Sequence, residues 1–231
     1  MLLGNLIKDG NSKSIVNWQE LQNKKTIKLY AGDVGPDEPQ FFTHVGLSLS
    51  REDGSNIKHN LTEPIPLPEN SVEVFQSQDV YEHIKLDSLL PMVNEVYRIL
   101  KPGALFRLSM PDYNCDVLYD RSFKTQSGEI VFDPGGGGEL MQDENNIFCV
   151  RGGGHLWFPT YEVVAGILAQ SDFETYEFLH YYPDKNRSHG VTKKIDYSLG
   201  HIQRTPDHDK RVQDPFRPMS LVVDLYKEQL S

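Results

Sequence analysis

The sequence predicts an α/β fold in which helices cover both faces of a mostly parallel sheet. Short apolar runs rich in β-branched and aromatic residues alternate with longer segments whose apolar residues recur every three or four positions. This alternation is typical of right-handed strand–helix–strand units. In such a fold ligands bind beyond the carboxyl ends of the strands, so polar residues that directly follow a strand are candidates for a functional site.

The first third of the chain contains four predicted strands. A polar leader precedes them, with one possible helix around SIVNWQELQN (14–23). Each strand is short and bounded by glycine, proline or polar residues. The four are TIKLYA (26–31), THVGLSLS (43–50), NIKHNL (56–61) and VEVFQS (72–77).

The hydrophobic period changes after Asp87 and predicts a helix. One helix face is formed by Leu89, Leu90, Val93, Val96, Tyr97 and Leu100. Further along, the sequence predicts a strand, a second amphipathic helix and two closing strands, in the order ALFRLSM (104–110), PTYEVVAGILAQ (159–170), FETYEFLHYY (173–182) and MSLVVDLYKE (219–228). The long polar connection between the closing strands is unusual for a plain hairpin and indicates a functional loop.

Length and charge limit the class of protein. A chain of 231 residues suits one domain with one core. Its net charge of −10 opposes a nucleic-acid partner, and no apolar run approaches the roughly 20 residues that span a bilayer. Cys115 and Cys149 are isolated, which fits a reducing, cytoplasmic compartment and offers no zinc site.

One continuous block resembles a known family. It consists of PIPLPENSVEVFQSQDVYEHI (64–84) and LLPMVNEVYRILKPGALFRLSMPD (89–112). The proline turn, strand, EH pair, helix ending in R-x-L-K-P-G and strand ending in PD resemble the type 11 class I S-adenosylmethionine-dependent methyltransferases. The resemblance covers about residues 26–112. It implies a Rossmann-like sandwich with a mostly parallel seven-stranded sheet, an antiparallel last strand, and S-adenosylmethionine as cofactor.

The resemblance also implies how the domain is divided. We expect a single methyltransferase domain over residues 1–231, with a leader at 1–25, a lid insertion at 113–158 and a long acceptor-side loop at 184–217. The glycine runs PGGGGE (134–139) and RGGGH (151–155) bracket the part of the lid expected to move. A further likeness to methyltransferase domains beside glycosyltransferases, including those of large algal viruses (chloroviruses), implies a sugar hydroxyl as acceptor and a possible fusion to glycosyltransferase domains.

The family pattern assigns cofactor contacts to several positions. Gly32 and Gly35 are expected at the methionine part, Ser48 at the ribose, and Asn60 with Leu61 at the adenine. The alternative for Asn60 is that it only shapes the turn before LTEPIP. Tyr30 is either a core ring or a contact to the amino acid end, and the opening near the methyl group is expected to be lined by Gln76 and Ser77, followed by Gln78. The sequence departs from the pattern twice, with Val34 at a glycine position and Ser48 at the ribose-binding acid.

Methylation of a hydroxyl needs a general base, and three residues are candidates. Asp79 is the first, in a short helix capped by Ser77, with His83 four residues on along the same face. His155 is the second, in a loop with aromatic neighbours. The alternatives are that Asp79 only complements a helix dipole, His83 only packs, and His155 is a surface residue of a capping loop. Glu82 is expected to be structural, and no metal is expected.

The leading functional hypothesis is therefore an O-methyltransferase acting on a carbohydrate or another small hydroxylated acceptor. A binding module that kept the fold without catalysis remains an alternative, because fold alone does not define activity. A nicotinamide-dependent dehydrogenase is disfavoured, since the chain lacks G-x-G-x-x-G and an acid after the second strand.

Overall fold

The N-terminal region contributes one short helix to the structure. The computed structural model of the protein describes residues 15–229, so most of the predicted leader lies outside the described residues. Helix α1 (Trp18–Gln22) forms within the predicted segment. The Asn17 side chain caps it by accepting a hydrogen bond from the Glu20 N–H at 3.0 Å.

A central eight-stranded sheet organises the fold, and two small hairpins accompany it. Five neighbouring strands, in the order β3-β2-β1-β4-β5, run parallel. The strands of the described residues are β1 (Lys28–Ala31), β2 (Val45–Ser48), β3 (Asn56–Lys58), β4 (Val72–Gln78), β5 (Leu100–Pro111), β6 (Phe123–Lys124), β7 (Ile130–Phe132), β8 (Glu139–Gln142), β9 (Phe148–Arg151), β10 (Thr175–Tyr181), β11 (Val191–Thr192) and β12 (Ser220–Tyr226).

The closing strands confirm the predicted direction of the last strand. β12 lies between β5 and β10 and is antiparallel to both. The sheet has eight strands instead of the expected seven because β11, only two residues long, pairs with the outer edge of β10. Its two residues lie in the long polar connection, where the sequence shows no alternating pattern to indicate a strand.

Three further helices complete the layers: α2 (Leu89–Ile99), α3 (Asp116–Arg121) and α4 (Tyr161–Leu168). The periodicity that predicted α2 is confirmed, since Leu89, Val93 and Val96 are buried. Leu100 is the first residue of β5 rather than part of the helix. None of the helices within residues 15–229 has the length and apolar character needed to span a membrane.

The segment 113–158 contains α3 and the hairpins β6–β7 and β8–β9. The two glycine runs flank β8–β9 and pack against each other at its base. Gly138 has a φ of +72°, and a Cβ there would lie 2.5 Å from the Arg151 carbonyl oxygen and 2.7 Å from the Gly154 nitrogen. The close approach explains why glycine occurs in both runs. Whether this insertion moves as a lid stays a prediction.

Gly46 in β2 lets the strand pack closely against the backbone of the loop that follows β1. A Cβ there would lie 2.7 Å from the Gly32 carbonyl oxygen and 2.9 Å from the Val34 nitrogen, and would overlap the Asn56 side chain. We expect Gly46→Ala to lower the free energy of unfolding by about 1–3 kcal/mol, because the crowded backbone must shift. Gly166→Ala in α4 is the matched control, since its Cβ meets open space and helix propensity favours alanine. Denaturant titration would contradict the argument if both variants were equally stable.

Candidate active site

A cavity of about 440 Å³ lies at the carboxyl ends of the first four strands. Residues that directly follow β1, β2, β3 and β4 line it, as expected for a parallel sheet. The lining residues are Gly32, Asp33, Leu47, Leu49, Ser50, His59, Asn60, Leu61, Asp79, Val80, His83, Ile84 and Gly153. Five sequence-predicted residues therefore meet here: Gly32, Asn60, Leu61, Asp79 and His83.

The loop after β1 is held by an asparagine that the sequence did not single out. The buried Asn56 side chain accepts a hydrogen bond from the Val34 N–H at 2.7 Å and donates one to the Val34 carbonyl oxygen at 3.1 Å. Val34 itself is buried, where the family pattern has a glycine. Gly35 lies in a different cavity, and its N–H donates to Glu38 at 2.9 Å. Side-chain contacts therefore fix the loop at Val34 and Gly35, whereas Gly32 at its start has a φ of +107°, a conformation that favours glycine.

Ser48 is buried and does not line the cavity. Its hydroxyl oxygen accepts hydrogen bonds from the backbone N–H groups of Ser50 at 3.1 Å and Arg51 at 2.8 Å. The serine therefore stabilises the turn after β2. The next two residues, Leu49 and Ser50, provide the cavity wall instead.

Tyr30, Gln76 and Ser77 are not among the lining residues. The Tyr30 ring packs on Phe41 with 4.5 Å between centroids, and burial raises the pKa of its hydroxyl. The amide of Gln76 donates to the His201 carbonyl oxygen, and the buried Ser77 hydroxyl has no hydrogen-bond partner in the part of the chain that the structure describes. These side chains support the ends of the strands. Their assigned cofactor contacts stay predictions.

The short helix expected from Ser77 to His83 does not form. β4 continues to Gln78, so Ser77 is a strand residue and caps nothing. Asp79 then has a φ of +55°, a left-handed conformation that turns the chain sharply, and only Tyr81–His83 forms one 3₁₀ turn. The expected helical spacing of Asp79 and His83 was wrong. Both still reach the cavity, because the turn directs them there rather than a helix face.

Asp79 forms an ion pair with the long closing loop. Its carboxylate lies 2.5 Å from the Arg204 guanidinium. Burial raises the pKa of Asp79, and Arg204 opposes this by favouring the charged form. The Gln203 N–H donates to the Gln78 side chain at 2.9 Å, so the loop 184–217 contacts the end of β4. The predicted acceptor-side loop therefore forms an ion pair at the end of β4, and its contact with an acceptor stays a prediction.

A buried polar cluster lies beside the cavity. Glu82 and His155 are both buried, with 3.7 Å between Glu82 Oε1 and His155 Nε2. The rings of His83 and His155 lie 4.7 Å apart between centroids. Burial raises the pKa of Glu82 to about 8 and lowers the pKa of His155 to about 4. His155 itself does not line the cavity, so only its neighbour His83 faces it directly.

An outer chain of hydrogen bonds that sequence reasoning missed orients His155. The Tyr113 hydroxyl donates to Asp133 at 2.6 Å and lies 2.5 Å from His155 Nδ1. Because that hydroxyl has one proton, His155 Nδ1–H is the donor in the second contact. Arg121 pairs with Asp133 at 2.6 Å and keeps it charged. These partners are separated in sequence by up to several tens of residues, so no local motif indicates them.

The aromatic residues after His155, Trp157 and Phe158, do not line the first cavity. Trp157 is buried and donates to the Tyr81 carbonyl oxygen at 3.0 Å. Phe158 packs on Tyr113 and lines a second cavity of about 540 Å³. That cavity is lined by Tyr113, Asn114, Tyr119, Ser127, Gly128, Glu129, Ile130, Phe158, Thr160, Glu162, Val163, Lys185 and Arg187. Tyr113 therefore links the second cavity to the polar cluster.

Comparison with known proteins agrees with the predicted fold. Residues 41–108 match the type 11 family model described as a methyltransferase domain. A SAM-dependent methyltransferase from Archaeoglobus fulgidus is similar in structure, with 12% identity, a TM-score of 0.50 and coverage of 91% of this chain and 90% of that one. One from Thermotoga maritima, described as a possible histamine N-methyltransferase, has 13% identity, a TM-score of 0.50 and coverage of 89% and 83%. No curated protein matched the sequence.

The structural comparison concerns the fold of the whole chain, and the family match concerns one segment of it. The structural likeness, at this low identity, establishes the Rossmann-like class I methyltransferase fold. The matched segment runs from before β2 to the middle of β5 and includes the turn with Asp79, Glu82 and His83. The family match is to a methyltransferase domain over residues 41–108, which is less than a third of the chain.

Proposed function

We propose that this chain is a SAM-dependent methyltransferase that transfers a methyl group to a hydroxyl of a sugar or glycan. The observation that carries the proposal is the cavity at the strand ends, where residues following four parallel strands meet. In doubly wound α/β sheets this is the place where nucleotide-like ligands bind. The proposed setting is the cytoplasm, and fusion to glycosyltransferase domains is part of the same proposal.

The cavity suits the methyl donor in size and charge. Its volume of about 440 Å³ falls in the range of small-molecule sites. Asp33 and Asp79 place two carboxylates in its wall, which favours a ligand with a sulfonium cation. In this proposal Asn60 donates its side-chain N–H groups to the adenine, while its oxygen shapes the turn by accepting from the Thr62 N–H at 3.1 Å and the Thr62 hydroxyl at 2.9 Å. Gly32 lets the backbone approach the methionine part closely.

The transfer itself is an in-line displacement at the donor methyl group. The acceptor oxygen forms a bond to the methyl carbon while the carbon–sulfur bond breaks, and the sulfur leaves as the neutral thioether of S-adenosylhomocysteine. The hydroxyl proton passes to Asp79, the carboxylate in the cavity wall. The remaining contribution of the protein is to hold donor and acceptor in line.

The second cavity is the proposed acceptor subsite. The Phe158 ring provides apolar surface, while Asn114 and Glu162 provide hydrogen-bonding groups. The Tyr119 ring is covered by the Arg187 guanidinium at 3.5 Å, which adds a cation to the cavity wall. Sugars present both apolar ring faces and hydroxyl groups, so this mixture suits them. The same mixture would also accept another small hydroxylated molecule, which makes acceptor screening part of the test.

Donor binding provides the first test. We expect S-adenosylhomocysteine to stabilise the folded chain, by about 2.7 kcal/mol at a hundredfold excess over its Kd, because it binds only the folded state. Thermal unfolding with and without the nucleoside measures this, and NADH serves as the matched control for a dehydrogenase. No shift at millimolar S-adenosylhomocysteine would overturn the proposal. Donor binding without a methyl-mass gain on any of a panel of monosaccharides and small hydroxylated acceptors would favour the non-catalytic binding module.

A further inference from the structure

Glu82, His83 and His155 bring three potential metal ligands together beside the donor cavity. One ligand atom from each residue lies within 4.8 Å of the other two. Within residues 15–229 no other group of three histidine, cysteine or acidic side chains meets this condition. Two imidazole nitrogens and a carboxylate oxygen form a ligand set that borderline divalent metals such as Zn²⁺ prefer.

The Glu82 carboxyl group lacks a protein partner in this cluster. The residue is fully buried, and neither of its carboxyl oxygens has a hydrogen bond to any group of residues 15–229. A buried carboxyl group without partners is costly, and a bound cation satisfies it. The closest basic group is His155 Nε2, whose distance of 3.7 Å from Oε1 is too long for a hydrogen bond.

Both histidines are held by their outer nitrogen, as metal-binding histidines usually are. His83 Nδ1 lies 2.8 Å from the Gly153 carbonyl oxygen, an acceptor that fixes the proton on Nδ1. His155 Nδ1 donates to the Tyr113 hydroxyl, which in turn donates to Asp133. In each ring the proton is therefore on Nδ1, and the lone pair available for a metal is on Nε2.

We propose that Glu82, His83 and His155 bind a divalent transition-metal ion, with Zn²⁺ as the reference ion. The site has three protein ligands, so positions remain for water or for an oxygen of a substrate, as in catalytic zinc centres. The proposal departs from the sequence-based expectation that no metal is needed. Glu82 and His83 are adjacent in sequence, but His155 lies in a distant loop, so ligand spacing gave no indication.

The position of the ion suggests what it does. His83 lines the donor cavity, so an ion bound to it is next to the space where the acceptor hydroxyl must approach. A hydroxyl on such an ion loses its proton more readily and is held in position. This catalytic role rests on the proposed methyl transfer, whereas metal binding itself does not. The two are therefore tested by separate measurements.

Metal binding is measured on the whole chain without donor or acceptor. The protein is stripped with a chelator, and Zn²⁺ binding is followed by calorimetry. Substitution with Co²⁺ gives a visible spectrum that reports nitrogen and oxygen ligation. We expect about one ion per chain, and a weaker affinity by at least tenfold in Glu82→Gln and His155→Gln. Tyr113→Phe removes the group that orients His155 and should weaken binding by about 10–100-fold.

A surface histidine provides the matched control. His189 is exposed and outside the cluster, so His189→Ala should bind Zn²⁺ like the unchanged chain. Thermal unfolding in the absence of metal shows whether each variant is folded, and Glu82→Gln keeps the shape of the buried side chain. Absence of a Zn²⁺ site in the unchanged chain would overturn the inference, and so would equal binding by Glu82→Gln, His155→Gln and His189→Ala.

The same measurements separate this inference from the proposed function. Loss of metal binding in the cluster variants with retained S-adenosylhomocysteine binding supports both. A chain that binds S-adenosylhomocysteine and methylates an acceptor without any Zn²⁺ site would retain the proposed function and contradict the metal site. A chain that binds Zn²⁺ at these residues but does not bind S-adenosylhomocysteine would retain the metal site and contradict the proposed function.

Discussion

Replacing Asp79 by asparagine should lower the turnover number for methyl transfer by about 10²–10⁴-fold, the usual contribution of a general base. Asparagine keeps the shape of the side chain but cannot take the hydroxyl proton. The ion pair with Arg204 is lost at the same time, so the loop contact is weakened. Because a base acts in its deprotonated form, activity of the unchanged chain should rise with pH through the pKa of Asp79. Asp79→Asn should lack this rise.

Two measurements make the Asp79 result specific. Affinity for S-adenosylhomocysteine should remain within about threefold, since the predicted adenine and methionine contacts lie on other residues. Asp87→Asn is the matched control, because Asp87 is exposed and outside the cavity. Unchanged turnover in Asp79→Asn would show that the base is misplaced. His83→Gln and His155→Gln, with their metal content measured, would then identify the group that takes the proton.

Replacing Asp224 by alanine should lower the free energy of unfolding by about 3–5 kcal/mol, because it leaves a buried cation without its partner. Asp224 on β12 faces Arg107 on β5, with two hydrogen bonds of 2.7 and 2.6 Å. Both side chains are almost fully buried. The same guanidinium donates to the carbonyl oxygens of Asp196 at 2.9 Å and Gly200 at 2.5 Å. Loss of Asp224 should therefore loosen the closing loop as well as the sheet.

An exposed ion pair on the neighbouring strand provides the comparison. Lys193 and Glu177 lie 2.8 Å apart, with about half of each side chain exposed. Glu177→Ala should cost at most about 1 kcal/mol, as is usual for a solvated pair. Denaturant titration of both variants measures the difference. Equal losses would show that burial of the Arg107–Asp224 pair has no special effect on stability.

The sequence predicted the repetitive parts of the fold and several residues of the site. Strand runs and the three- to four-residue period of α2 reflect local chemistry, and residues after strand ends face the cavity for topological reasons. Gly32, Asn60 and Leu61 were assigned from the family pattern, and all three line the cavity. The turn at Asp79 was missed because a left-handed aspartate is set by neighbouring strands and by Arg204, not by its own segment.

Long-range contacts account for the other differences. Asn56 fixes the first loop across 22 positions, and Tyr113 orients His155 across 42. No short motif carries such information. Ser48 was assigned from the family position of an acid, but its hydroxyl is used by the backbone of the next turn. A family position therefore located the strand end correctly and did not determine which side chain faces the cavity.

The two borders of the sheet differ in how they can meet other chains. β3 has three residues, so its border offers few backbone groups for pairing. At the other border β11 pairs only with His180 and Tyr181, so within the described residues the earlier part of β10 has no partner strand on that side. Joining of sheets edge to edge is therefore disfavoured at β3, and an assembly that extends the sheet would use the outer edge of β10.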